Sequence, residues 1–312
     1  MTDLVLRTAL GNYGHTKPLK DGTVASKTFS MEHVEVSPVV SIFRRMVRGL
    51  EFDVAEMALS TYLCARAHAK PFTGIPVFLT RAFYHGGLVF NARSGMTSPK
   101  DLEGRRVGLR SYTLTPGVWT RGMLQTEYGV DLEAVTWVLS GDEHVAEFVP
   151  PSNVVSSPNS DLGEMLLSGE IDAAIGAGPV DSPDVQPLFP EPDQADAAWH
   201  RKTGIYPISH MVVVKDAQLE ANPGLECELF EAFKMAKAQY IGRLHSGDHP
   251  SQADQALLKM AEVVGEDPIP YGFQSSLKTL EAFIRFNVEQ GVIPETVDPE
   301  ELFPDSTLSL FQ

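Results

Sequence analysis

Arg81 and His85 stand four residues apart, directly after the apolar run IPVFLT. In a compact turn RAFYH, a guanidinium and an imidazole face the same way. A guanidinium can grip a carboxylate with two parallel hydrogen bonds. An imidazole, with an unperturbed pKa near ~6.5, can give or take a proton at neutral pH. The plainer alternative is a surface arginine and a histidine satisfied within its loop. A second cluster follows the run RVGLR, where Thr113, Thr115 and the free N–H groups after Pro116 open a helix. Hydroxyls, amides and the positive end of a helix dipole together suit an anion, although Thr115 can also serve as an N-cap alone. Trp119 and Arg121 follow within two turns. The indole can stack on an aromatic ring or fill the core, and Arg121 can hold an acid or lie on the surface. Glu56 ends the run FDVAEM, with Ser60 at the next helix start. A carboxylate there can accept a hydroxyl proton or cap a helix on the rim. His210, just before MVVVK, is the other candidate acid or carboxylate ligand, against the alternative of a histidine bonded to backbone. Asn12, Tyr13 and His15 follow the first strand. Tyr13 can bond a hydroxyl, but turn composition explains that segment as well.

Other chemistries find little support. No nucleophile elbow or HExxH run occurs. His245 and His249 have metal-like spacing, but they read as an exposed loop between helices, so no metal is expected. Gly176-Ala177-Gly178 is a fragment of a dinucleotide fingerprint, yet Pro179 follows and no helix opens. Cys64 and Cys227 read as buried thiols rather than nucleophiles, with a disulfide as the open alternative.

The elements that must position these residues follow from local signals. LVLRTAL alternates and meets the turn Gly11-Asn12-Tyr13-Gly14. Ser37-Pro38 opens a helix that Gly49 closes. FDVAEM is a strand and Leu59 to His68 a helix; IPVFLT, GLVFN and RVGLR are strands. Ser98-Pro99 caps a single turn between the last two. Thr115 to Tyr128 is a helix with Gly129 as its stop, and VTWVLSG is a strand. Residues 150–160 read as a loop, DLGEMLLSGE as a helix and IDAAIGA as a strand. Residues 179–192, with five prolines, read as an irregular loop or crossover. After the strand HMVVVKD the chain is mainly helical, over 223–244, 252–264 and 275–290. Strands alternating with helices imply βαβ units and a largely parallel sheet.

One echo sharpens this. MVRGLEFDVAEM and MLLSGEIDAAIG share Met, Glu, Asp and Ala at an offset of 119 residues. Any short αβ loop can use such chemistry, but two lobes built alike would produce it too. Two βαβ lobes place strand ends and helix starts around a ligand cleft.

The whole chain has 312 residues, room for about two domains. Lys and Arg total 25 against 41 Asp and Glu, a formal charge of −16, which disfavours a nucleic-acid partner. No stretch approaches the ~20 apolar residues of a membrane helix. The N-terminal MTDLVLRTALGNYG lacks a cationic region, a long apolar core and a cleavage site, so a cytoplasmic location is expected.

The segments FDVAEMALSTYL, IPVFLTRAFYHGGLVFN, SPKDLEGRRVGLRSYTLTPGVWTRGMLQTEYGV and GIYPISHMVVV resemble the 4,5-dihydroxyphthalate decarboxylase family, within the group with the type II periplasmic-binding-protein fold. The resemblance implies an α/β fold of two lobes, each a mostly parallel sheet flanked by helices, with the ligand cleft between them. The lobes are placed at 1–94 with 215–312, and at 95–214. It also implies decarboxylation of a small hydroxylated aromatic carboxylate, as in 4,5-dihydroxyphthalate to 3,4-dihydroxybenzoate and CO2. Losing CO2 directly would leave a localised aryl carbanion. Protonating the carbon that bears the carboxylate avoids this, and a para hydroxyl supports the developing charge. The site therefore needs a proton donor, groups that hold carboxylates and an acceptor for the phenol, and no cofactor is required. On this reading His85, His210 and Glu56 do the proton chemistry. Arg81, Arg121 and the helix start at Thr113 and Thr115 hold carboxylates. Glu56, Tyr13 and Tyr112 surround the hydroxyls, Trp119 stacks on the ring, and Ser60 is a further substrate contact. Self-association into a homo-oligomer is compatible with this reading. The alternative is a solute-binding protein of an ABC-type transporter, closing on an anionic or aromatic ligand without chemistry, because one scaffold serves both.

Overall fold

The computed structural model describes residues 4–247 and 251–311; His249 falls outside them. The chain first runs through β1 (Leu4–Ala9), β2 (Phe29–His33), β3 (Val54–Ala58) and β4 (Phe72–Arg81). It continues through β5 (Leu88–Asn91), β6 (Arg106–Leu109), β7 (Thr136–Leu139), β8 (Val154–Ser156), β9 (Ala173–Ile175) and β10 (Val185–Pro187), and then β11 (Ile208–Lys215). Two compact units result. One comprises residues 1–81, 208–281 and 297–312, and the other 82–207 and 282–296.

The first unit holds a sheet in the order β2-β1-β3-β11-β4. β1 pairs in parallel with β2 and β3, while β11 is antiparallel to β3 and β4. β3 is buried at every residue because it lies in the middle of this sheet. Leu6, Val54, Ile75, Val77, Val212 and Val214 pack against Leu229, Phe230 and Phe233 of the helix Leu225–Ser246. Burial of such side chains contributes roughly 1.5–3 kcal/mol each. The second unit holds the order β10-β5-β9-β6-β7-β8, with β5 antiparallel to both its neighbours. Its core joins Val138 and Ala174 to Leu162, Met165 and Leu166 of the helix Leu162–Ser168. Each sheet is thus mostly parallel with one reversed strand.

The echo has a structural counterpart in each unit. Asp53 Oδ2 accepts from the Arg7 amide at 2.9 Å, and Asp172 Oδ2 accepts from the Arg106 amide at 3.0 Å. In both cases the Asp enters a strand that lies parallel to the one carrying the arginine. The helix before each ends on a left-handed residue, Gly169 in one and Leu50 in the other. Leu50, not Gly49, therefore closes the helix Val40–Gly49.

Several boundaries depart from the sequence reading. The units divide at 81/82 and 207/208, where the sequence suggested 94/95 and 214/215. β5 pairs with β9 and β10, whereas all of β11 pairs within the first sheet. Residues 282–296, expected in the first lobe, belong with the second unit because Phe283 stacks on Trp119 at 4.6 Å and Gln290 binds Arg121. The stretch 150–160 contains β8, and 179–192 contains β10 and leads into the helix Pro192–Thr203. Proline-rich composition hid both edge strands, where proline costs no ladder hydrogen bond. Cys64 is buried as expected, but Cys227 is half-buried, and both are free thiols.

The helix Thr115–Tyr128 approaches Phe286 closely at Gly122, where a Cβ would come within 2.3 Å of the ring. Gly122→Ala is expected to lower stability by about 1–3 kcal/mol through overpacking, checked by the urea midpoint. An unchanged midpoint would mean the ring gives way freely.

Candidate active site

In the first unit the carboxylate of Glu56 is fully buried on β3. A bare charge there would be costly, so its partners decide what it is. The Gly11 amide donates to Oε2 at 2.7 Å, and the Tyr13 hydroxyl donates to Oε1 at 2.7 Å. His210 Nδ1 lies 2.6 Å from Oε1. Burial raises the Glu56 pKa, but the bond and charge of His210, then Tyr13 and Gly11, outweigh it and hold the carboxyl below its ordinary range. The Tyr13 phenol is pushed far upward by burial, then by the Glu56 charge, so it stays a donor. Gly11 has no room for a side chain, since a Cβ would meet the Tyr13 ring at 2.6 Å. The bend Gly11–Gly14 thereby delivers both an amide and a phenol to one carboxylate.

His210 sits on β11 opposite Ala58, with Phe43 edge-on to its ring at 4.9 Å. A carboxylate on Nδ1 fixes the ring, leaving Nε2 of a 19% exposed side chain for another partner. This is the arrangement of a general acid or base. Glu56 and His210 are 154 residues apart in sequence. Ser60 is buried at the start of the helix Leu59–Ala67.

His15 lies beside this group. Its ring stacks on Tyr13 at 5.4 Å with Tyr240 and Tyr271 around it, and it is 3% exposed. Burial lowers its pKa to about 4 against the pull of Glu56, so it is neutral at pH 7. Close by, Lys237 binds Asp267 and lies over the Tyr271 ring at 4.8 Å. Burial brings this amine down to about 8 even though Asp267 pulls it up. Arg81 directs Nη2 to the Pro270 carbonyl at 3.1 Å and to Ser276 Oγ at 2.6 Å. One edge of its fork is thus already in use. Neither Lys237 nor Asp267 was singled out in the sequence, because an isolated Lys in a helix and an Asp in a loop carry no pattern.

In the second unit, His85 is buried with Nδ1 2.5 Å from Asp196 Oδ1 and Nε2 3.0 Å from the Tyr128 hydroxyl. Both ring nitrogens are used, and the imidazole ties the turn after β4 to two helices. Asp196 lies on the helix Pro192–Thr203, far along the chain from His85.

Arg121 is fully buried. Its Nε donates to Gln290 Oε1 at 2.8 Å and its Nη2 to the Tyr112 carbonyl at 2.7 Å. The guanidinium lies 3.9 Å over the Tyr112 ring and 5.4 Å from that of Trp137. Nη1 has no hydrogen-bond partner and faces Gly117, where a Cβ would lie 3.2 Å away. Burial depresses its pKa, with Tyr112 and Glu143 opposing. The Tyr112 hydroxyl donates to the Gln290 carbonyl at 3.1 Å. Thr113 gives its amide and hydroxyl to Glu143, which the sequence reading did not name. Thr115 is buried as the first helical residue, and Leu114 rather than Thr115 holds the N-cap position. Trp119 is packed by Phe283, Phe286 and Trp199. Among the described residues no cluster of three His, Cys, Asp or Glu could hold a metal, and no helix is long and apolar enough to cross a membrane.

No family model matches the chain. A curated 4,5-dihydroxyphthalate decarboxylase from Comamonas testosteroni is 31% identical over 335 aligned positions, covering all of both chains. The chain belongs to the 4,5-dihydroxyphthalate decarboxylase family. A second relative of that name, from Pseudomonas putida, is 33% identical over 219 positions, 64% of this chain and 83% of the other. Membership of the 4,5-dihydroxyphthalate decarboxylase family makes this chain a carboxy-lyase. Solved structures add the fold. A periplasmic sulfonate-binding protein SsuA from Methylobacillus flagellatus matches with a TM-score of 0.59 at 12% identity, over 97% of this chain and 92% of that one. The desulfurization enzyme DSZB, in complex with biphenyl-2-sulfinic acid, matches at 0.56 and 14%, over 96% of each. The fold is therefore periplasmic-binding-protein-like, and it serves an enzyme as well as a binding protein.

Proposed function

We propose that this carboxy-lyase removes CO2 from a hydroxylated aromatic acid of the 4,5-dihydroxyphthalate type, giving 3,4-dihydroxybenzoate, with no metal or organic cofactor. The kinship with the 4,5-dihydroxyphthalate decarboxylases supports an aromatic acid. The observation that carries the chemistry is the Glu56–His210 pair at 2.6 Å. A protonated His210 delivers a proton from Nε2 to the ring carbon that bears the carboxylate. The buried Glu56 carboxylate holds the imidazole ring still. The para hydroxyl feeds electron density into the ring as that carbon is protonated. The C–C bond then breaks, CO2 leaves with no charge, and the ring regains aromaticity. His210 recovers its proton from water.

The proton step falls to His210 rather than His85, whose two nitrogens are occupied. Arg81, Arg121 and the helix start at Thr115 are assigned to substrate carboxylates. Tyr13 is assigned to positioning Glu56, and Ser60 and Tyr112 to the surroundings of the ring hydroxyls. A bare solute-binding role gives no reason for a carboxylate-oriented histidine. Phthalate breakdown in the cytoplasm is the setting this substrate suggests.

The test is incubation with 4,5-dihydroxyphthalate. CO2 and 3,4-dihydroxybenzoate should appear at equal rates, unchanged by EDTA. Tight binding without CO2 would refute the activity, and a loss of rate in EDTA would refute the cofactor-free route.

A further inference from the structure

Two successive amides, those of Tyr112 and Thr113, point at one carboxylate, and it is the chain's own. Glu143 Oε1 accepts from the Tyr112 amide, and Oε2 accepts from the Thr113 amide at 3.1 Å and from the Thr113 hydroxyl. Consecutive amides that converge in this way form an anion-binding nest. The helix Thr115–Tyr128 starts two residues further on. Arg121, fully buried, faces the first turn of that helix with an unpartnered Nη1, and Glu143 is the acid whose charge reaches it. An uncompensated buried guanidinium is costly, so this corner of the unit calls for an anion. Glu143 answers the call from a loop that follows β7 and is exposed at Gly141 and Asp142.

We propose that Glu143 is a self-ligand: its carboxylate occupies the place of a carboxylate of the acid substrate, which must displace it to bind. The proposal rests on the aromatic-acid reading given above. It makes Glu143 an affinity-determining residue, because binding exchanges one carboxylate for another on the same donors. Analogues that present a weaker acceptor, such as the corresponding amides, then fail to displace it.

The experiment uses the full chain and phthalate, which has both carboxylates but no hydroxyl to support turnover. Calorimetry and thermal shift are measured for wild type, Glu143→Gln, Glu143→Ala and the control Asp142→Asn. The control removes a neighbouring charge and leaves the nest filled. Both Glu143 variants should melt lower in anion-free buffer. They should gain more from phthalate than wild type and bind it about tenfold more tightly. The control should change affinity by less than about twofold. Equal or weaker phthalate binding in both Glu143 variants would overturn the proposal, as would a control that matches them or variants that do not fold with phthalate present. A wild type that neither binds nor turns over aromatic acids would instead defeat the substrate reading.

Discussion

His210→Gln should lower kcat for CO2 release by ~10²–10⁴-fold, the usual worth of a positioned acid. Gln is the informative replacement. Its amide can still donate to Glu56, so the buried carboxylate keeps a partner in place of the 2.6 Å bond from Nδ1. What the variant lacks is a proton to give. KM should therefore change little, because an interaction made only in the transition state has been removed. A steady-state comparison at pH 7 decides it. A loss smaller than tenfold would take the proton step away from His210, and a KM rise that accounts for the whole effect would make it a binding group.

The second large effect is on stability against pH, and it comes from His15. Its folded pKa of about 4 lies below the ordinary 6.5 because burial disfavours the imidazolium. Between those values the unfolded chain holds a proton that the folded chain lacks, so stability rises with pH across the window. The contribution is complete above about 6.5 and lost as pH falls toward 4. At 1.36 kcal/mol per unit, the loss is about 3 kcal/mol. Glu56 adds a second depressed group, a carboxyl whose stabilisation is likewise present above its unfolded pKa. That contribution disappears lower on the scale, as pH falls through its folded value. Urea unfolding at pH 7 and pH 4.5 should show a marked drop in wild type and a smaller one in His15→Phe. The phenyl ring keeps the stack on Tyr13 and has nothing to titrate. Equal drops in the two proteins would mean that His15 is protonated in the folded state at pH 4.5.

Both effects depend on residues whose partners lie far along the chain, and there the legibility of the sequence changes. The helix Thr115–Tyr128 and its Gly129 stop, the capped turn at Ser98, the strand holding Glu56 and the strand holding His210 all came from signals a few residues long. So did the paired Asp53 and Asp172, because a helix end followed by a strand start is a local event. Family likeness, carried by four short segments, gave the fold and the class of reaction.

Tertiary structure alone decided which side chains meet. Nothing near His85 in sequence foretold that Asp196 and Tyr128 would take both its nitrogens, or that His210 would set Nδ1 against Glu56. Nothing near Thr113 foretold Glu143 on its amide. Hydrophobic period and capping act over one or two turns and are written where they act. The partner of a buried polar atom is fixed by which strands lie side by side, and that order follows from packing the whole sheet.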